Sequence, residues 1–130
     1  MDFAGLDYVI LIVADLDRAV AFYSGVLGIA LAHRAEQYAQ FDTGTTRLGL
    51  YTRKAMAETL GLRLTAPSEQ SPGFEIGFKV ADVDAAYAKL VENGAEPQTA
   101  PTTRPWGQRT AYVRDPDGHL IELAQDLGEG

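Results

Sequence analysis

Val13-Ala14-Asp15-Leu16-Asp17-Arg18-Ala19 returns as Val80-Ala81-Asp82-Val83-Asp84-Ala85-Ala86, an offset of 67 residues in a chain of 130. A repeat at about half the chain length means that two copies of one supersecondary unit fill the sequence. In each copy an apolar, β-branched run (residues 8–13 or 74–80) leads into an aspartate, Asp15 or Asp82. Such a side chain accepts hydrogen bonds from the N–H groups that open a helix. The second helix sets Val83, Ala86, Tyr87, Leu90 and Val91 on one buried face and stops at Asn93-Gly94. The first repeats the pattern with Leu16, Ala19, Val20, Tyr23, Val26 and Leu27 and closes at Gly28, so both are expected to run three turns.

Three strand-like runs follow each helix. They are residues 29–34, 37–42 and 47–52 in the first copy, and 96–99, 108–114 and 119–125 in the second. Thr43-Gly44 and Asp115-Pro116-Asp117-Gly118 mark turns between them. Each copy therefore reads βαβββ, an α+β unit, with repeat 1 at residues 5–52 and repeat 2 at 73–126. The intervening linker, 53–72, is expected to hold a short helix over 54–60 and a polar, turn-rich stretch over 65–72. Pro101 and Pro105 bar residues 100–107 from a central strand, and this stretch reads as an exposed or pocket-lining loop.

Composition removes several classes of function. Eleven Lys+Arg against 18 Asp+Glu give a formal charge of −7, and no basic cluster occurs, which argues against nucleic acid and favours cationic or neutral small partners. The absence of cysteine removes disulfides, iron–sulfur clusters, Cys-ligated zinc and thiol catalysis. The longest purely apolar run covers residues 8–14, far short of the roughly 20 that span a bilayer. No basic leader precedes it. The expectation is a cytoplasmic globular protein without a membrane partner.

The Asp15-Leu16-Asp17-Arg18-Ala19, Phe22-Tyr23 and Leu27-Gly28 segments, with Asp82-Val83-Asp84-Ala85-Ala86 and Asn93-Gly94-Ala95, resemble the vicinal oxygen chelate superfamily of glyoxalases, bleomycin-resistance proteins and dioxygenases. The most specific part is Arg114-Asp115-Pro116-Asp117-Gly118-His119-Leu120-Ile121-Glu122-Leu123. The resemblance implies a cup-shaped pair of half-barrels, completed in small members by homodimerisation, with a small-molecule ligand in the cup. Unrelated chemistries share this fold, so the site decides the function.

In metal-dependent members of that superfamily, four inward side chains from the first and last strands of the two halves hold a divalent ion. The repeat assigns those positions to Tyr8, Gly49, Glu75 and Glu122. Imidazole and carboxylate give such sites their affinity, whereas glycine has no donor and a phenol is a weak one. Neither His33 nor His119 falls on these positions. Glu75 and Glu122, with waters, are the only candidates for a weakly held divalent metal, so no cofactor is expected. Sharing the cup should raise the pKa of at least one of them.

Tyr8, Tyr38, Tyr51, Trp106 and Tyr112 are candidate ligand-binding aromatics, and Trp106 sits in a Pro-Trp-Gly-x-Arg stretch resembling the bleomycin-resistance group. Its alternative is a plug in the core. Arg109 suits an anionic ligand group, a pairing with Glu122, or a solvated strand position. The leading expectation is a metal-independent protein that sequesters a cationic or aromatic ligand, such as an antibiotic, with Glu75 and Glu122 binding positive groups. The alternative is a glyoxalase-type lyase or isomerase with Glu75 and Glu122 as metal ligands or catalytic acid and base. A third reading is an accessory module with a vestigial cup.

Overall fold

The protein is described by a computed structural model over residues 5–66 and 73–128. The chain divides between residues 66 and 67 into two compact units. The first contains β1 (Tyr8–Val13), α1 (Leu16–Val20) continued by a π-helical segment (Ala21–Val26), β2 (Leu31–Arg34), β3 (Tyr38–Phe41), β4 (Arg47–Thr52) and α2 (Arg53–Leu60). The second contains β5 (Glu75–Lys79), α3 (Val83–Glu92), β6 (Glu96–Arg104), β7 (Gln108–Arg114) and β8 (Leu120–Asp126). Their sheets have orders β1-β4-β3-β2 and β5-β8-β7-β6, with the first strand parallel to the last in each. The sequence repeat is therefore a repeat of topology, and each unit is the expected α+β βαβββ motif.

Local chemistry explains the elements. Asp15 accepts from the Arg18 N–H at 3.1 Å and Asp82 from the Ala85 N–H at 3.1 Å, so both expected caps are formed. In the first unit Leu11, Val13, Ala39, Phe41, Leu48 and Leu50 are buried on the sheet, as are Leu16, Ala19, Val20, Phe22 and Tyr23 on the helical stretch. The second unit buries Val83 and Leu90 of α3 along with Ala111, Val113, Ile121 and Leu123. Each large aliphatic side chain so buried contributes about 1.5–3 kcal/mol.

Two sequence expectations are corrected. Only Leu16–Val20 of the first helix is α-helical; the Leu27 N–H reaches back five residues to the Phe22 carbonyl. The wider turn accommodates consecutive buried aromatics, Phe22 and Tyr23, whose rings meet edge-on at 5.2 Å. Residues 100–104 are not loop but belong to β6. Pro97 and Pro101 are tolerated because β6 is an edge strand whose pairing with β7 is irregular between Pro97 and Thr99 and between Thr99 and Thr102. Only Pro105-Trp106-Gly107 forms a turn, with Gly107 at φ +90°. The short helix expected over 54–60 forms as Arg53–Leu60, capped by Thr52 and packed on β4 and β1. The expected turn-rich residues 67–72 lie outside the described residues. No helix among the described residues is long and apolar enough to cross a membrane.

Candidate functional site

Strand alternation gives each sheet a face away from its buried helix-side layer. In the first unit Ile10 pairs with Gly49, Tyr8 with Arg47, Gln40 with Gly49 and Tyr38 with Tyr51, and cross-strand partners share a face. A pocket of about 380 Å³ opens there. β1 supplies Tyr8 and Ile10, β3 Tyr38 and Gln40, β4 Arg47 and Tyr51, and α2 adds Met56. This volume falls within the range of small-molecule sites. Tyr38 and Tyr51 form a corner, their rings 6.3 Å apart at 71°. The Tyr38 hydroxyl donates to Gln40 Oε1 at 3.0 Å, and the Tyr51 hydroxyl shares a 2.8 Å hydrogen bond with Thr59. The Arg47 guanidinium lies 5.8 Å from the Tyr8 ring centre and also pairs with Asp7.

The equivalent face of the second unit is acidic. Glu122 pairs across strands with Gly77 and with Tyr112, which matches Gly49 to Glu122 and Ile10 to Gly77 between the repeats. The Tyr112 hydroxyl donates to Glu122 Oε2 at 2.8 Å. Burial, then the charge-accepting hydrogen bond to Glu122, pushes the Tyr112 phenol up to about 12. The Glu75 carboxyl is also pushed up, first by burial, then by the negative charge of Glu122 and by hydrogen bonding with it.

A raised carboxyl ionises more readily in the unfolded chain. Its stabilising contribution is full below the unfolded pKa and is lost as pH rises through the folded one. Glu75→Gln should therefore melt progressively higher relative to the parent protein as pH rises from about 4 to 7. Scanning fluorimetry across that range checks this, and a constant difference would place the strain elsewhere.

Of the four positions proposed for a divalent ion, the two in the first unit offer no competent donor. A Cβ at Gly49 would sit 2.5 Å from Ile10 Cδ1 and 2.8 Å from the Tyr38 hydroxyl, so that position is filled by its neighbours. Tyr8 offers a phenol beside an arginine. In the second unit Glu75 and Glu122 come together, and one oxygen of Glu122 already accepts from Tyr112. Among the described residues no group of three His, Asp or Glu side chains is arranged to hold a metal. The donor set does not fit the superfamily's divalent site.

Tyr8, Tyr38 and Tyr51 are thus gathered in one pocket of the first unit, and Glu75, Tyr112 and Glu122 in one cluster of the second. Two candidates fall outside both groups. Arg109 shares its face with Ala111 and Val113 and pairs bidentately with Asp84 of α3 at 2.8 and 2.9 Å, not with Glu122. Trp106 is 64% exposed, which rules out a core plug, and its indole N–H donates to Gln108 at 2.9 Å. Sequence reasoning passed over Ile10, Gln40 and Arg47, although each lies two residues from a named position on the same strand. Met56 carried no such signal, because only the packing of α2 brings it to the pocket.

The chain matches the family model of the Glyoxalase/Bleomycin resistance protein/Dioxygenase superfamily over residues 5–123, and it belongs to that superfamily. It is 38% identical over 121 residues to the uncharacterized protein YraH of Bacillus subtilis (strain 168), covering 90% of this chain and 94% of that one. It is 30% identical to lactoylglutathione lyase of Salmonella typhimurium, covering 91% of each chain. A crystal structure of a glyoxalase/bleomycin resistance protein/dioxygenase from Nocardioides superposes with a TM-score of 0.84 at 26% identity, over 100% of this chain and 88% of that one.

Proposed function

We propose that this protein binds an aromatic small molecule in the tyrosine pocket of its first unit without the help of a metal ion. The observation that carries this reading is Gly49, where the fold would present a metal-binding side chain and where Ile10 and the Tyr38 phenol close the space. The same replacement leaves a pocket walled by three tyrosine rings, which suits stacking more than coordination. A cationic ligand, expected from the charge of −7, finds no Asp or Glu among the residues lining this pocket.

A second reading, a glyoxalase-type lyase or isomerase, is favoured by the Glu75–Glu122–Tyr112 hydrogen-bonded group, which could hold and pass a proton. Its chemistry is that of the lactoylglutathione lyase relative. Thermal melts of chelator-treated protein separate the two readings, since a ligand that binds only the folded state raises its stability. A panel of aromatic amines, phenols and carboxylates should give saturable rises that disappear in Tyr38→Ala and Tyr51→Ala. Mg²⁺, Mn²⁺, Ni²⁺ and Zn²⁺ should give none. A metal-induced rise abolished by Glu75→Gln and Glu122→Gln would overturn the binding-protein reading.

A further inference from the structure

We infer that the tyrosine pocket is built for an aromatic carboxylate, its ring set against Tyr38 and Tyr51 and its anionic oxygens received by Gln40 and Arg47. This rests on the reading of that pocket as the binding site and adds the ligand's charge and polarity. The pocket's polar atoms set it apart from the acidity of the chain as a whole.

The polar lining is one-sided. Arg47 is the only charged side chain among the lining residues. Its acidic partner, Asp7, is engaged through one terminal nitrogen only, and both side chains are largely exposed, at 45% and 60%. An ion pair so placed is weak and leaves the guanidinium open to a better acceptor. Gln40 Oε1 accepts the Tyr38 hydroxyl proton, which turns the donor end of the amide to other uses. Among the described residues no acceptor bonds the Gln40 amide nitrogen, the Arg47 Nε or its second terminal nitrogen. The pocket therefore offers a ligand several N–H donors and no anionic acceptor.

Geometry makes these donors convergent. Gln40 lies opposite Gly49, and Arg47 lies two residues before Gly49 on β4, so the two are diagonal neighbours on one face. Cα atoms in that relation are about 7–8 Å apart, within reach of long side chains. Gly49 places no side chain between them, and the space above it is taken by Ile10 Cδ1 and the Tyr38 hydroxyl, itself a polar atom of the pocket. The Arg47 guanidinium is held over the Tyr8 ring, which orders it before a ligand arrives. On the other side of Gln40 the Tyr38–Tyr51 corner presents one ring face and one ring edge, the arrangement that receives a flat ring. A carboxylate on such a ring meets a fork of charge-assisted donors. An ammonium in the same place meets a guanidinium of like charge.

Calorimetric titration with three compounds of one shape tests this: 2-naphthoate, 2-naphthylmethanol and 2-naphthylmethylammonium. The naphthoate should bind about tenfold or more tightly than the ammonium, which is about 1.4 kcal/mol, with the alcohol between them. Arg47→Gln and Gln40→Glu should each erase or reverse that order, while Tyr51→Ala should weaken all three alike. Both polar positions are on the sheet face away from the core, and circular dichroism confirms that the variants fold. Tighter binding of the ammonium overturns the inference and leaves the pocket reading intact. So does a preference for naphthoate that survives both polar variants, since it would arise elsewhere. Failure of all three compounds to bind the parent protein overturns both.

Discussion

Asp115→Ala should destabilise the protein by about 1–3 kcal/mol, the range for leaving polar groups without a partner on folding. Asp115 is only 3% exposed, and its Oδ1 accepts from the backbone N–H groups of Asp117 at 2.9 Å and His119 at 2.8 Å. The backbone adds bonds from the Asp115 N–H to His119 and from the Gly118 N–H to Asp115, with Gly118 at φ +86°. Removing the carboxylate takes the side-chain acceptor away from two N–H groups of a half-buried turn. Asp115→Asn keeps one acceptor oxygen and should cost less than half as much. The denaturant midpoint checks both variants, provided the slope is unchanged. A loss below about 1 kcal/mol for Asp115→Ala would mean that the turn is held by its backbone bonds alone. The turn also has a functional consequence, because it sets where β8 begins and hence which face Glu122 presents to Tyr112.

That turn is readable in the sequence, and so is most of the framework. The offset between the two Asp-capped helices locates both first strands and relates Ile10 to Gly77, and the register then sets Gly49 and Glu122 opposite these two residues. Errors arise where a local rule is right but its context is hidden. Proline does exclude a central strand, yet β6 is an edge, and edge status is a property of the sheet that no single strand reveals. The π-helical turn leaves no mark in the pattern because Phe22 and Tyr23 fit a helical stripe equally well with or without the extra residue.

The site divides in the same way. Arg109 is legible by parity, since Ala111 and Val113 follow it at intervals of two and mark the helix-side face, which is where Asp84 meets it. Its neighbours in sequence, not its charge, decide its role. Tyr8, Tyr38 and Tyr51 are visible as aromatics on strands, but their meeting in one pocket depends on the pairing β1-β4-β3, and Met56 on how α2 turns back from Thr52. The net charge misleads. It is a sum over the surface, whereas recognition depends on the few groups that a pocket exposes.

Gly49→Val should cost about 1–3 kcal/mol, the usual penalty for forcing bulk into a filled space. Backbone strain is not the cause, because Gly49 is not among the glycines with positive φ, and there a side chain alone would even restrict the unfolded chain. The cost comes from the atoms already present: a Cβ would lie 2.5 Å from Ile10 Cδ1, 2.8 Å from the Tyr38 hydroxyl and 2.9 Å from Tyr38 Cε1. All three belong to the ends of side chains, so the strain should be relieved by neighbours that shrink. Ile10→Ala combined with Gly49→Val should recover much of the loss, a coupling that a double-mutant cycle in urea measures directly. Additive losses would instead show that the tyrosine alone opposes the new side chain. In either case the Tyr38 ring must swing away from Gln40, and binding of any aromatic ligand should fall with it. The same crowding bears on the superfamily's metal-dependent members. A histidine or glutamate at position 49 needs the room that Ile10 and Tyr38 now occupy, so installing a ligand there requires three changes together. The pocket's aromatic wall and its missing donor are two consequences of one packing arrangement.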